Sequence, residues 1–142
     1  MAKTGNNYVL PQNNGIKFAI LTAAKAARSG STDAVKIADA AADGSLVKKV
    51  WALPRDTLAS AAQLQLYVSP DNGTTLYLID SVLMAAYTYN ANQVITVTEF
   101  TNFGNFDEPL FLPASHSLWA ASAVALAAGI VVSALLEHYT VG

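Results

Sequence analysis

The sequence predicts an all-β fold. It reads as a single-domain antiparallel β-sandwich, jelly-roll-like, over residues 16–142, behind an extended polar N-terminal arm over 1–15. Three observations carry this. Two alternating runs, Gln63–Val68 and Thr75–Ile79, flank a turn of Ser69, Pro70, Asp71, Asn72, Gly73 and Thr74, the pattern of a β-hairpin. Most of the remaining chain divides into short apolar or β-branched runs separated by Gly, Pro, Asn and Asp. No segment carries an unambiguous helical period, and about eight or nine short strands suit a sandwich or jelly roll.

Taken in order, the arm holds Asn6, Asn7, Pro11, Asn13, Asn14 and Gly15 and has little to pack into a core. Its order is expected to come from a neighbouring subunit, with Tyr8 and Leu10 as its contact side chains. Ile16–Ala24 reads as a strand with Ile16, Phe18 and Ile20 on one face. Thr32–Gly44 is ambiguous. Thr32 or Asp33 could cap an alanine-rich helix ending at Gly44, or Ala34–Ala38 could be a strand before a turn at Ala42-Asp43-Gly44. Ser45–Leu53 is a strand whose two faces are both mixed, so its pattern does not decide which faces inward.

In the central hairpin, Leu64, Leu66 and Val68 alternate with Gln63, Gln65 and Tyr67, and Leu76 and Leu78 with Thr75, Tyr77 and Ile79. A period of two sends one set to the core and the other outward. Met84–Asn92 is a loop with Tyr87 and Tyr89, and Gln93–Phe100 a β-branched strand. Thr101–Pro109 is irregular around Phe103 and Phe106, and Leu110–Leu112 is a short strand closed by Pro113. Two apolar strands, Leu118–Leu126 and Ile130–His138, complete the chain, turning near Ala127-Ala128-Gly129.

Ser117–Leu136 holds 20 residues without a charge, long enough for a transmembrane helix. Against that reading, Ala and Ser make up half of it and no Lys or Arg flanks it. Charged residues are only 13% of the chain, which leaves a surface suited to being covered by another protein. Net charge is −2, and the eight basic residues, read as scattered, offer no cluster for a phosphate backbone. There is no cysteine, hence no disulfide framework and no thiolate zinc site. The polar start lacks the apolar core of a secretory signal and fits synthesis in a reducing cytoplasm.

No catalytic constellation stands out. His116 and His138 lack metal-ligand spacing, and no serine sits in Gly-x-Ser-x-Gly. Asp107 and Glu108 could contribute to a calcium site, but a solvated loop explains them. The expectation is a protein without enzymatic activity, cofactor or metal. The loop aromatics Tyr87, Tyr89, Phe103 and Phe106 are the expected subunit or partner contacts. Folding back to cap the sandwich is the alternative for them.

Several pieces of the chain, in order, resemble small structural proteins of tailed bacteriophages and prophages. They are Ala-Ala-Asp-Gly-Ser-Leu-Val at 41–47, Gln-Leu-Gln-Leu-Tyr-Val-Ser at 63–69 and Asn-Gly-Thr-Thr-Leu-Tyr-Leu-Ile at 72–79. Leu-Phe-Leu-Pro-Ala-Ser-His-Ser-Leu at 110–118 and the final apolar pair follow. The resemblance spans roughly residues 30–138. It implies strands at 34–38 and 117–138, and a β-sandwich subunit of the virion exterior that decorates the head. Its implied partners are the phage major capsid protein and further copies of itself, as a trimer, with neither nucleic acid nor membrane. The competing functions are a tail or fibre module binding a receptor or glycan, and a small membrane protein spanning through 117–136.

Overall fold

The hairpin that stands out in the sequence is the innermost of four nested antiparallel pairs. β4 (Ala62–Ser69) pairs with β5 (Tyr77–Met84), and around them β3 (Ser45–Pro54) pairs with β7 (Leu110–Leu112). Further out, β2 (Val35–Asp39) pairs with β8 (Ser117–Ser122), and β1 (Val9–Leu21) with β9 (Ile130–Val141). β6 (Thr98–Glu99) joins β3 beside β7. This long ribbon is folded over by two more pairings, β3 with β9 and β4 with β8. The result is two antiparallel sheets, ordered β1-β9-β3-β6 with β7 also on β3, and β2-β8-β4-β5. That winding is a jelly-roll β-sandwich. The computed structural model describes residues 9–28 and 30–141, with side chains over 15–28 and 30–139, and contains no helix among them.

The core lies between the sheets. From one come Val47, Val50, Ala52, Ile130, Val132, Ala134 and Leu136, and from the other Leu64, Leu66, Leu118 and Ala120, each with no exposed surface. Each fully buried aliphatic side chain of Val or Leu size contributes about 1.5–3 kcal/mol relative to exposure. The mixed pattern of β3 has a direct cause. A bulge between Val47 and Lys49 shifts the phase, so Val47 faces the core before it and Val50, Ala52 and Pro54 after it.

β5 also carries a bulge, between its partners of Leu66 and Tyr67. The inward positions become Asp80, Val82 and Met84, while Leu78, expected to alternate with the outward set, is exposed. The outward side of β4 is not wet. Tyr67, Leu76 and Ala121 form a second small cluster there, packed by Ala34 and Trp119. The segment between β1 and β2 folds over it, and buried Lys25 Nζ donates to Gly30 O (2.8 Å) and Thr32 O (2.9 Å) above the Tyr67 ring. Burial lowers the Lys25 pKa, opposed in part by Asp33.

Several boundaries differ from the expectation. The strand read from Ile16 starts at Val9, and residues 9–15 pair with β9 of the same chain, opposite Leu136–Val141. It also ends at Leu21 instead of Ala24. Of the two readings of Thr32–Gly44 the strand is the one that forms, shifted by one residue: β2 occupies Val35–Asp39, because its ladder with β8 satisfies the backbone that a helix would satisfy internally. The Gln93–Phe100 strand shrinks to Thr98–Glu99, since its partner β3 ends at Pro54, which cannot donate to a ladder.

Ser117–Leu136 is β8, a connection and most of β9, which corrects the transmembrane-helix reading. Among the described residues no helix is long and apolar enough to cross a membrane. β8 stops at Ser122 instead of Leu126, because Ser122 Oγ donates to Val124 O (2.8 Å) and accepts from Val124 N (3.1 Å), turning the chain. Gly129, at φ +92°, completes the expected turn where any Cβ would overlap Ile20.

Candidate interaction surfaces

A polar clamp builds the first surface. The buried Asp80 carboxylate on β5 accepts from the amides of Asn102 (3.2 Å) and Phe103 (3.4 Å) through Oδ2. Its Oδ1 accepts from Asn102 Nδ2 (2.9 Å) and Ser81 N (2.8 Å). Farther along, Gly104 O accepts from Val50 N at the β3 bulge, and Gly104 N donates to Glu108 O. Asn105 Oδ1 accepts from the amides of Asp107 and Glu108. The loop from 100 to 109 is thus closed on itself and presents Phe106, 66% exposed.

The six residues expected at interfaces do not gather into one patch. Tyr8 lies outside the described residues, and Leu10 stands opposite Thr140 in β1, its side chain outside them. Phe103 and Phe106 share the clamped loop and are exposed. Tyr89 is exposed on the preceding loop, its amide held by Thr57 Oγ1 at 3.0 Å. Tyr87 takes the alternative fate: it bridges to Leu58 and is half-buried against the core. Its hydroxyl is buried and has no hydrogen-bond partner among the described residues. A cavity of about 350 Å³ between β5 and β6 is lined by Val82, Met84, Tyr87, Val97 and Glu99. A second hollow of about 300 Å³ lies beyond, between Glu99, Phe100, Phe106 and Asp107. Glu99 borders both.

The second surface is the outer face of the β1-β9-β3 sheet. Ile16, Phe18 and Ile20 do share a face, but it is the outer one; Ala19 and Leu21 point into the core. The register aligns Phe18, Ser133, Trp51 and Glu99 across four strands. Beside that row run Ile16, Leu135 and Lys49, and Ile20, Val131 and Leu53. Ile16 and Phe18 are more than half exposed, and Trp51, Leu53, Val131 and Leu135 are partly so. A sandwich normally turns polar side chains outward. Alternation revealed the Ile16, Phe18 and Ile20 set, but a period of two does not say which side meets the second sheet.

Charge is unevenly distributed along the sequence, and the fold pairs its two parts. The basic residues are not scattered: all eight Lys and Arg fall within the first 55 residues, and residues 56–142 carry seven acids and no Lys or Arg. On central β3, Lys48 pairs with Glu137 (2.8 Å) and Lys49 with Glu99 (3.0 Å). The Lys48 bond, helped by Tyr139, holds the Glu137 pKa below the usual carboxylate range, and the Glu137 contact raises that of Tyr139.

Buried Ser45 Oγ lies 2.6 Å from His138 Nδ1 and accepts from Ala41 N, tying the turn before β3 to β9. His116 lies on the turn before β8, its Nδ1 3.2 Å from Ala114 O. Among the described residues no group of three or more His, Asp or Glu is placed to hold a metal ion. No protein family, curated protein or solved structure matches this chain.

Proposed function

We propose that this chain is a structural virion protein of a tailed bacteriophage. It decorates the capsid exterior as a homo-oligomer and stabilises the head against the major capsid protein. The observation that supports this most is the apolar outer face around Phe18 and Trp51, carried on a two-layer β-sandwich. A clamp across shell joints needs such a body and enough coverable surface to add buried area where internal pressure pulls subunits apart. The low charge content and the resemblance of residues 30–138 to phage structural proteins support the same reading. Closed symmetry favours a trimer, which matches the local threefold positions of an icosahedral shell. Mixing the purified protein with expanded empty capsids and sedimenting them tests this directly. Saturable co-sedimentation, with density over the shell by electron microscopy, is the expected result.

A second reading is a tail or fibre module that binds a glycan. It is favoured by the aromatic pair Phe18 and Trp51 beside the polar Lys49 and Glu99 on the same face. A stable monomer that ignores capsids but binds host cells or polysaccharide establishes that reading and ends the first.

A further inference from the structure

Lys36, Asp39 and Asn72 meet at one end of the β2-β8-β4-β5 sheet. Lys36 Nζ donates to Asn72 Oδ1 at 2.7 Å, and to Asp39 Oδ1 and Oδ2 at 3.1 and 3.4 Å. Lys36 and Asp39 belong to edge strand β2, and Asn72 to the turn between β4 and β5, with β8 lying between. The amine also stands 5.8 Å from the centroid of the Trp119 ring on β8. An amine, a carboxamide carbon and a carboxylate held together are the reactants and the proton carrier of an amide exchange.

From this geometry we propose that Lys36 and Asn72 join in an isopeptide bond, which the folded chain forms on itself with loss of ammonia. Asp39 takes one proton from the Lys36 ammonium, and the lone pair freed on Nζ attacks Cγ of Asn72. The Nζ–Cγ bond forms as the carbonyl π pair moves onto Oδ1. Asp39 returns its proton to Nδ2, the pair comes back from Oδ1, and the Cγ–Nδ2 bond breaks. The departing ammonia takes the surplus proton of Nζ and leaves as ammonium. Atoms and charge balance without any co-reactant, and Asp39 ends as it began.

The distances suit this step. Cγ lies one C=O bond, about 1.2 Å, from the oxygen that Nζ already holds. A small rotation of either side chain brings Nζ to the roughly 3–3.5 Å of a near-attack contact. Lys36 keeps 31% of its side-chain surface, so most of its stem is covered and the amine is confined to this place. Asn72 is exposed, which lets ammonia escape and makes the step one-way.

The competing nucleophile is the amide nitrogen of Gly73, which in an Asn-Gly pair attacks the same carbon to give a succinimide. Here that N–H donates to Ser69 Oγ at 2.7 Å, in a buried position. Gly73 also lies close against the Trp119 ring, itself oriented by a bond from Nε1 to Ser117 Oγ at 2.8 Å. The turn thus withholds the local nucleophile and presents Asn72, at φ +57°, to Lys36. The product is a covalent tie between edge strand β2 and the central hairpin, which constrains the unfolded chain as any cross-link does. It depends on neither the capsid nor the oligomer of the proposed function.

Intact mass spectrometry of the full-length protein tests this. The wild type is expected to weigh one ammonia less than its sequence requires, and Lys36→Arg and Asn72→Ala to have their full masses. Trypsin should fail to cut after Lys36 in the wild type and yield residues 29–48 joined to 56–142 in one branched product. That digest decides the matter even where a variant does not fold. Asp39→Ala, checked for folding by circular dichroism, should lose ammonia about 100-fold more slowly. A wild type at its full sequence mass overturns the inference. So does a mass deficit that survives in Lys36→Arg without a branched product, the signature of a succinimide at Asn72. An Asp39→Ala protein that cross-links at the wild-type rate overturns the proton transfer assigned to Asp39.

Discussion

Lys49 on β3 reaches Glu99 on β6 at 3.0 Å, and this ion pair lies between the apolar outer face and the cavity beside β6. Lys49 also stands 5.6 Å from the centroid of the Trp51 ring, so one cation serves both surfaces. Both partners are a third or more exposed, and a pair of that kind adds no more than about 1 kcal/mol. Its consequence is positional: it pins the two-residue β6 beside β3 and with it the wall of the cavity.

Asp80 is the anchor of the aromatic loop. Asp80→Ala leaves the Asn102 and Phe103 amides without their acceptor and is expected to cost about 1–3 kcal/mol. Amide exchange should quicken over residues 101–108 more than in β4 or β8. Uniform destabilisation with unchanged loop protection would show that Asp80 does not hold the loop.

Leu66 has no exposed surface and lies mid-strand between the sheets. Leu66→Ala is expected to lower stability by about 2–5 kcal/mol in denaturant unfolding. Leu66→Asp should yield insoluble or unfolded protein, since an unpaired carboxylate cannot be buried there. A soluble, cooperatively folding Asp variant contradicts the facing of β4.

Gly73 turns the central hairpin at φ +95°, and a Cβ there would lie 2.5 Å from the Trp119 ring. Gly73→Ala therefore meets both backbone strain and a ring that must move, and a loss of more than about 1 kcal/mol is expected. The Trp119 emission should shift with it. Trp51 is unaffected, so a Trp51→Phe background isolates the signal.

The Asp71 carboxylate accepts from Thr75 N (2.8 Å) and Ser69 Oγ (2.9 Å), and the Thr75 amide is the main cause of its lowered pKa. A depressed folded-state pKa means that the unfolded chain binds the proton more readily. The contribution is therefore present above the unfolded value of 3.8 and lost as pH falls through the lower folded value. Asp71→Asn, which keeps an acceptor oxygen but cannot titrate, should flatten the acid limb of the melting temperature against pH. An unchanged acid limb would place the titration elsewhere.

Deleting residues 1–14 removes the part of β1 that pairs with Glu137–Val141. The expected outcome is a lower melting temperature and faster exchange at the end of β9. An arm ordered only by a neighbouring subunit would instead leave the truncated protein as stable as the full chain.

The β4–β5 hairpin was legible because its signals are local: alternation on both sides of a turn whose residues have the required backbone freedom. The same holds for β3, β7 and β9, whose apolar runs are bounded by Gly and Pro. What lay beyond local reading is what depends on a partner strand. The β3 and β5 bulges reset which side chains face inward, and a bulge is visible only when the opposing register is known. β2 resembled a helix because alanine is favourable there, and its ladder with β8 overrode that preference. The outward placement of Ile16, Phe18 and Ile20 was likewise decided by tertiary structure. Alternation defines two faces of a strand, but only the position of the second sheet determines which of them is buried.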